Sequence, residues 1–153
     1  MTTATLELAI AITGYSQLIQ LPITYVLATH VLDLRREIEA MKTLNAQILR
    51  VLGAAAVVLL VGLGLLVALH PADIHQTSLG RALALFLSCF WLGRFAIQLA
   101  YGRTWPREPK RLVWHYVLLF IFIAQGTSYA LIRFASASGH DLAALNQLFG
   151  PTP

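Results

Sequence analysis

The sequence predicts an all-α integral membrane protein, with four transmembrane helices paired as two antiparallel hairpins in a four-helix bundle. Three observations carry this expectation. Of the 153 residues, 58% are hydrophobic and only 12% are charged, against about 45–50% and about 25% in soluble domains. Four apolar stretches reach the length of about 20 residues that a helix needs to cross a bilayer. The basic residues collect at the ends of those stretches. Eleven Lys and Arg and seven Asp and Glu are too few to clothe a soluble fold of this size, so lipid must cover the rest.

The first stretch, residues 8–32, lies between Glu7 and Asp33 and contains no formal charge. No Lys or Arg precedes it and its apolar run is long, so it reads as a retained helix rather than a cleaved signal. Pro22 within it removes a backbone donor, which predicts a kink and leaves the carbonyl of Leu18 without its usual partner. The second stretch, 51–69, consists of Leu, Val, Ala and Gly, including Gly53, Gly62 and Gly64. Such small residues permit close helix contact, although the GxxxG spacing is missing. The third, 82–100, is interrupted only by Arg94, and the fourth, 112–132, lies between Arg111 and Arg133. Helices are required throughout, because in lipid each backbone N–H and C=O must be satisfied within its own segment.

Between the first two stretches, residues 33–47 carry good helix formers and no Gly or Pro, so the first helix is expected to project from the membrane before turning back. Pro106 and Pro109 make 102–110 a short, stiff connection, flanked by Trp105 and Trp114 as interfacial anchors. After the fourth stretch, 136–139 reads as a break, and the tail 136–153 as a short helix on the outer face, with Asp141 as its cap. The runs 13–17 and 125–129 share a composition but not an order, and no internal repeat is read from them.

Basic residues in short loops mark the cytoplasmic side. Arg35, Arg36, Lys42 and Arg50, with Arg103, Arg107, Lys110 and Arg111, make up eight of the eleven. Both termini are thus expected outside a cell membrane, with lipid, other membrane subunits or a second copy as partners. The same distribution makes the net charge of +4 a matter of topology rather than of nucleic-acid binding. Cys89 stands alone in an apolar run, so the chain builds no internal disulfide and Cys89 reads as inert packing.

Polar groups within the membrane are costly and turn toward the bundle interior, which makes them the functional candidates. Thr13, Gln17, Gln20 and Thr24 follow helical spacing and lay a polar stripe along one face of the first helix. Bonding between helices is the plain reading of that stripe, and lining a ligand the sharper one. Arg94 costs about 2.5–3.5 kcal/mol at a helix centre on insertion scales, and Gln98 and Tyr101 share its face. It acts either as a snorkelling anchor, paired with Asp33 or a loop carbonyl, or as the holder of an anion. His30 and His115 are expected at one depth in the cytoplasmic leaflet, where two imidazoles from different helices could also serve as axial ligands of a b-type haem. On the outer side His70, Asp73, His75, His140 and Asp141 fit no metal-ligand spacing and read as a solvated rim.

The spans carry no Asp or Glu in their interiors, which disfavours proton-coupled transport, and no phosphate-binding glycine loop, nucleophile elbow or protease zinc motif occurs. The resulting expectation is a non-catalytic membrane protein. It is either an accessory subunit or the binder of a small amphipathic anion at Arg94, Gln98, His30 and His115, with Gln17 and Gln20 nearby. A small haem electron carrier using His30 and His115 is the alternative, and a lipid-modifying enzyme a third reading.

Overall fold

The computed structural model describes residues 3–27, 34–102 and 108–149. They form six helices: α1 (Thr3–Val26), α2 (Leu34–Ala40), α3 (Thr43–Leu69), α4 (Pro71–Gln76), α5 (Ser78–Tyr101) and α6 (Pro109–Phe149). Among the described residues there is no strand.

Among the described residues, three helices are long and apolar enough to cross a membrane, over Thr43–Leu69, Ser78–Ala100 and Arg111–Ser136. α1 matches them in length, with 24 residues, but is not among them. The reason lies in its composition, because the polar stripe and neighbouring Ser16 and Tyr15 dilute its apolar residues.

Side-chain register fixes the directions of the helices. Gly14 lies against Gly64 and Ala68 while Gln17 reaches Leu60, so α1 and α3 are antiparallel. Gln98 meets His115 and Ser88 meets Gly126, so α5 and α6 are antiparallel too. Gln17 bonds Tyr129 and Gln20 bonds Gln125, which sets α1 antiparallel to α6 and therefore parallel to α5. Among the described residues, the backbone of α3 packs on α1 but not on α5 or α6, giving the order α3, α1, α6, α5. α4 lies across one end and touches all four.

Glycine decides how closely these helices approach. A Cβ at Gly14 would lie 2.5 Å from the backbone nitrogen of Ala68, and one at Gly126 would lie 2.7 Å from Leu92 Cγ and 3.1 Å from its backbone nitrogen. Both positions are filled by the neighbouring helix, so any side chain forces the pair apart.

The outward faces are apolar. On α1, Leu8, Ile12, Ile19 and Ile23 are exposed, whereas Thr13 and Gln17 are buried. This inverts the pattern of a soluble helix, which turns its apolar side inward. Cys89 is exposed rather than packed inside, so the inert-packing expectation for it does not hold.

Several boundaries differ from expectation. α2 ends at Ala40 and α3 starts at Thr43, so the charged loop holds the helix break at residues 41–42 and the start of α3, while residues 28–33, where the first helix was expected to continue, lie outside the described residues. α6 runs unbroken through 136–139, where a break was expected. Ser136 is satisfied inside the helix by donating to the carbonyl of Ile132 at 2.7 Å, so it gives the backbone no reason to leave the helix. Pro22 lies inside an unbroken α1. α4 was not anticipated. Pro71 starts it, as suits a residue without a backbone donor, and Gly80 follows at the α4–α5 corner, where a Cβ would strike the carbonyl of Asp73.

Candidate functional site

The polar stripe of α1 becomes the middle of the molecule. Gln17 is fully buried. Its Oε1 accepts from Tyr129 Oη at 2.9 Å and from Trp91 Nε1 at 3.3 Å, and its Nε2 donates to the carbonyl of Leu60 at 2.9 Å. One side chain of α1 thereby ties together α3, α5 and α6. Gln125 answers from α6. Its Nε2 donates to the carbonyl of Thr13 at 2.9 Å, and its Oε1 accepts from Gln20 Nε2 at 2.7 Å and lies 3.0 Å from Ser16 Oγ. In a low-dielectric interior such paired amides hold the helices in a single register, because a slip of either helix leaves buried polar groups unpaired.

Two members of the stripe serve their own helix instead. Thr13 Oγ1 donates to the carbonyl of Ala9 and Thr24 Oγ1 to that of Gln20, each at 2.8 Å. The runs 13–17 and 125–129, set aside as similar only in composition, are the two halves of this network. Shared content, rather than shared order, was the legible signal, since polar patches in two apolar helices can satisfy one another where they meet.

Arg94 lies one turn beyond Trp91 on α5. Its Cζ is 4.9 Å from the centroid of the Phe122 ring, 5.8 Å from that of Phe90 and 5.9 Å from that of Trp91. Ring faces attract a guanidinium by about 0.5–2 kcal/mol, more when water is excluded, and they leave its N–H donors unused. Arg94 Nε is buried and has no hydrogen-bond partner among the described residues. Its proposed partner Asp33 lies outside the described residues. Gln20 Oε1 is likewise buried and unpaired.

Gln98 and His115, paired in expectation with Arg94, do meet. Gln98 Nε2 lies 2.9 Å from His115 Nδ1, and His115 is 6% exposed. Its other nitrogen faces Gly102, where a Cβ would lie 2.9 Å from Nε2. The ring is thus clasped between the end of α5 and Gln98. His30 lies outside the described residues, so the haem pair has one described member, and that member's Nδ1 is engaged by Gln98 while its Nε2 faces the backbone of α5.

The expected rim residues also resolve into pairs. His70 Nδ1 is 3.6 Å from Asp73 Oδ2, and His75 Nε2 is 3.3 Å from Glu7 Oε1. The latter links α4 to the start of α1 and is largely shielded, with His75 9% exposed. Among the described residues no group of three His, Cys, Asp or Glu could hold a metal ion. His140 and Asp141 fall on the helical backbone of α6.

The chain matches no protein-family profile, no curated protein and no solved structure.

Proposed function

We propose that the chain is a four-span protein of the cell membrane that binds an amphipathic anion at Arg94, within the cytoplasmic leaflet, without catalysing a reaction. The observation that carries this reading is Arg94 itself, seated on three aromatic rings with Nε buried and unpaired. A guanidinium in an apolar span needs a counter-charge to offset its lost hydration, and an anionic head whose tails lie along the exposed apolar faces supplies one. α1 counts as the fourth span in this reading because its exposed face is apolar and its polar face is buried, the arrangement expected of a helix with lipid as its solvent. In this reading the charged loops are cytoplasmic and both termini lie outside.

The test is the lipid that co-purifies. Wild-type protein, extracted gently and analysed by native mass spectrometry, is expected to retain anionic lipid above its share of the membrane. Arg94→Leu is expected to lower that retention about ten-fold, and Arg94→Lys to keep part of it. Equal retention in wild type and Arg94→Leu, both folded, overturns the reading.

A second reading, an accessory subunit, rests on α3. From Val51 to Leu59 every residue of this helix is exposed, and nothing lies within 4 Å of a Cβ at Gly53 or Gly62. A partner helix fits that surface as well as lipid does, and crosslinking from Gly53→Cys in native membranes separates the two.

A further inference from the structure

We infer that α3 pairs with α3 of a second copy of this chain, along an apolar seam that runs from Leu44 to Leu69; this rests on the exposed α3 of the accessory reading and names its occupant. Starting at Leu44, alternate steps of four and three residues lead through Ile48, Val51, Ala55, Val58 and Gly62 and end at Leu69. Every position of that series is apolar and exposed. A repeat of about 3.5 residues sustained along a helix is the seam of a left-handed coiled coil, because it keeps one line of side chains facing a partner over its whole length. By helical period the seam lies opposite Gly64 and Ala68, which meet Gly14 of α1. α1 therefore leaves the seam free. Ala55 and Gly62 hold equivalent places one heptad apart, and nothing lies within 4 Å of a Cβ at Gly62, so two backbones can approach there as closely as membrane helix pairs require.

Lipid does not cover the whole seam. The 27 residues of α3 span about 40 Å, against about 30 Å for the bilayer core. Beyond Arg50, on the charged side, the seam continues through Ile48 and Leu44, 49% and 66% exposed, and a protein surface shields them from water where acyl chains do not. The occupant follows from charge. Lys42 and Arg50 fall on the far side of α3 by helical period, and the residues flanking the seam at this end are the amides Asn45 and Gln47. Copies inserted in one membrane share an orientation, so a two-fold pair is parallel and each seam residue meets its own counterpart. Two copies thus bring together apolar side chains and neutral amides and no like charges, and the flanks carry none of the charges by which coiled coils select a different partner.

Disulfide trapping of the full chain in native membranes tests the pair, in a Cys89→Ala background so that the exposed native thiol does not react. Val51→Cys and Val58→Cys stand on the seam, and Val57→Cys, also exposed, stands on the far face as the control. Mild oxidation is expected to give about five-fold more dimer from either seam site than from Val57→Cys. Adding Gly62→Leu is expected to lower the seam yield about ten-fold, because the two backbones can no longer approach. Equal yields at all three sites reflect random collision and overturn the pairing. A benzophenone attached at Val51→Cys then separates the occupants. Photocrosslinks to a different chain and not to a second copy overturn the self-pairing and leave the accessory reading standing, and crosslinks to lipid alone defeat both. Either seam site decides alone, so one variant that fails to fold leaves the other as the test.

Discussion

Along α1, the face toward α6 is joined by side-chain amides and hydroxyls, whereas the face toward α3 is joined chiefly by the absence of a side chain at Gly14, with Gln17 adding one bond to a carbonyl. In the membrane reading proposed above, the difference bears on what holds helices together when lipid replaces water. Apolar contact between spans gains little over contact with acyl chains, so association depends on close backbone approach and on polar groups that lipid cannot satisfy. The glycine seam sets distance. The amide seam sets register, because Gln17 and Gln125 find their partners in only one alignment.

The two seams should break differently. The largest effect is expected for Gly14→Leu, because the new side chain would meet the backbone of Ala68, which cannot give way. A loss of about 3 kcal/mol is expected in a bicelle unfolding titration, and a loss below about 1 kcal/mol would mean that α1 and α3 separate without cost. Gln17→Leu comes next. It leaves Tyr129 Oη and Trp91 Nε1 without their acceptor, for an expected loss of about 2 kcal/mol at roughly 0.6 kcal/mol per membrane hydrogen bond and up to about 1.7 for the best.

A double-mutant cycle sharpens the comparison. Gln17→Leu and Tyr129→Phe should show coupling of roughly 0.5–1.5 kcal/mol, whereas Gly14→Ala and Tyr129→Phe should add within about 0.5 kcal/mol, since they share no partner. Coupling in the second pair would show that distance and register are not separate. Gln98→Leu removes one bond to His115 and is expected to cost about 0.6 kcal/mol. Gly53→Leu stands at the small end, within about 0.5 kcal/mol of wild type, because nothing lies near its Cβ. A fall in assembly size with unchanged stability would instead favour a partner on α3.

Much of the site was legible in part. Arg94 stood out as a charge in an apolar run, and Gln98 and His115 were legible as members of one leaflet, but that they bond each other was not. That Arg94 would face Phe90, Trp91 and Phe122 was not legible, since aromatic residues are scattered through the apolar stretches and only packing selects three of them. Gln125 and Tyr129 were missed because they were read for repetition rather than for a partner to the stripe on α1.

By itself the sequence determined the four long apolar helices, though not their bounds, and the polar stripe of α1, because hydropathy and helical period act over a few neighbouring residues. Only the tertiary structure decided that α3 stands at the edge, that α1 and α6 form the centre, that α6 continues past residue 136, and that Gln17 binds three helices at once. These depend on which surfaces meet across as many as 112 positions of chain, as for Gln17 and Tyr129. Local composition says that a buried amide must find a partner, and packing alone says which one.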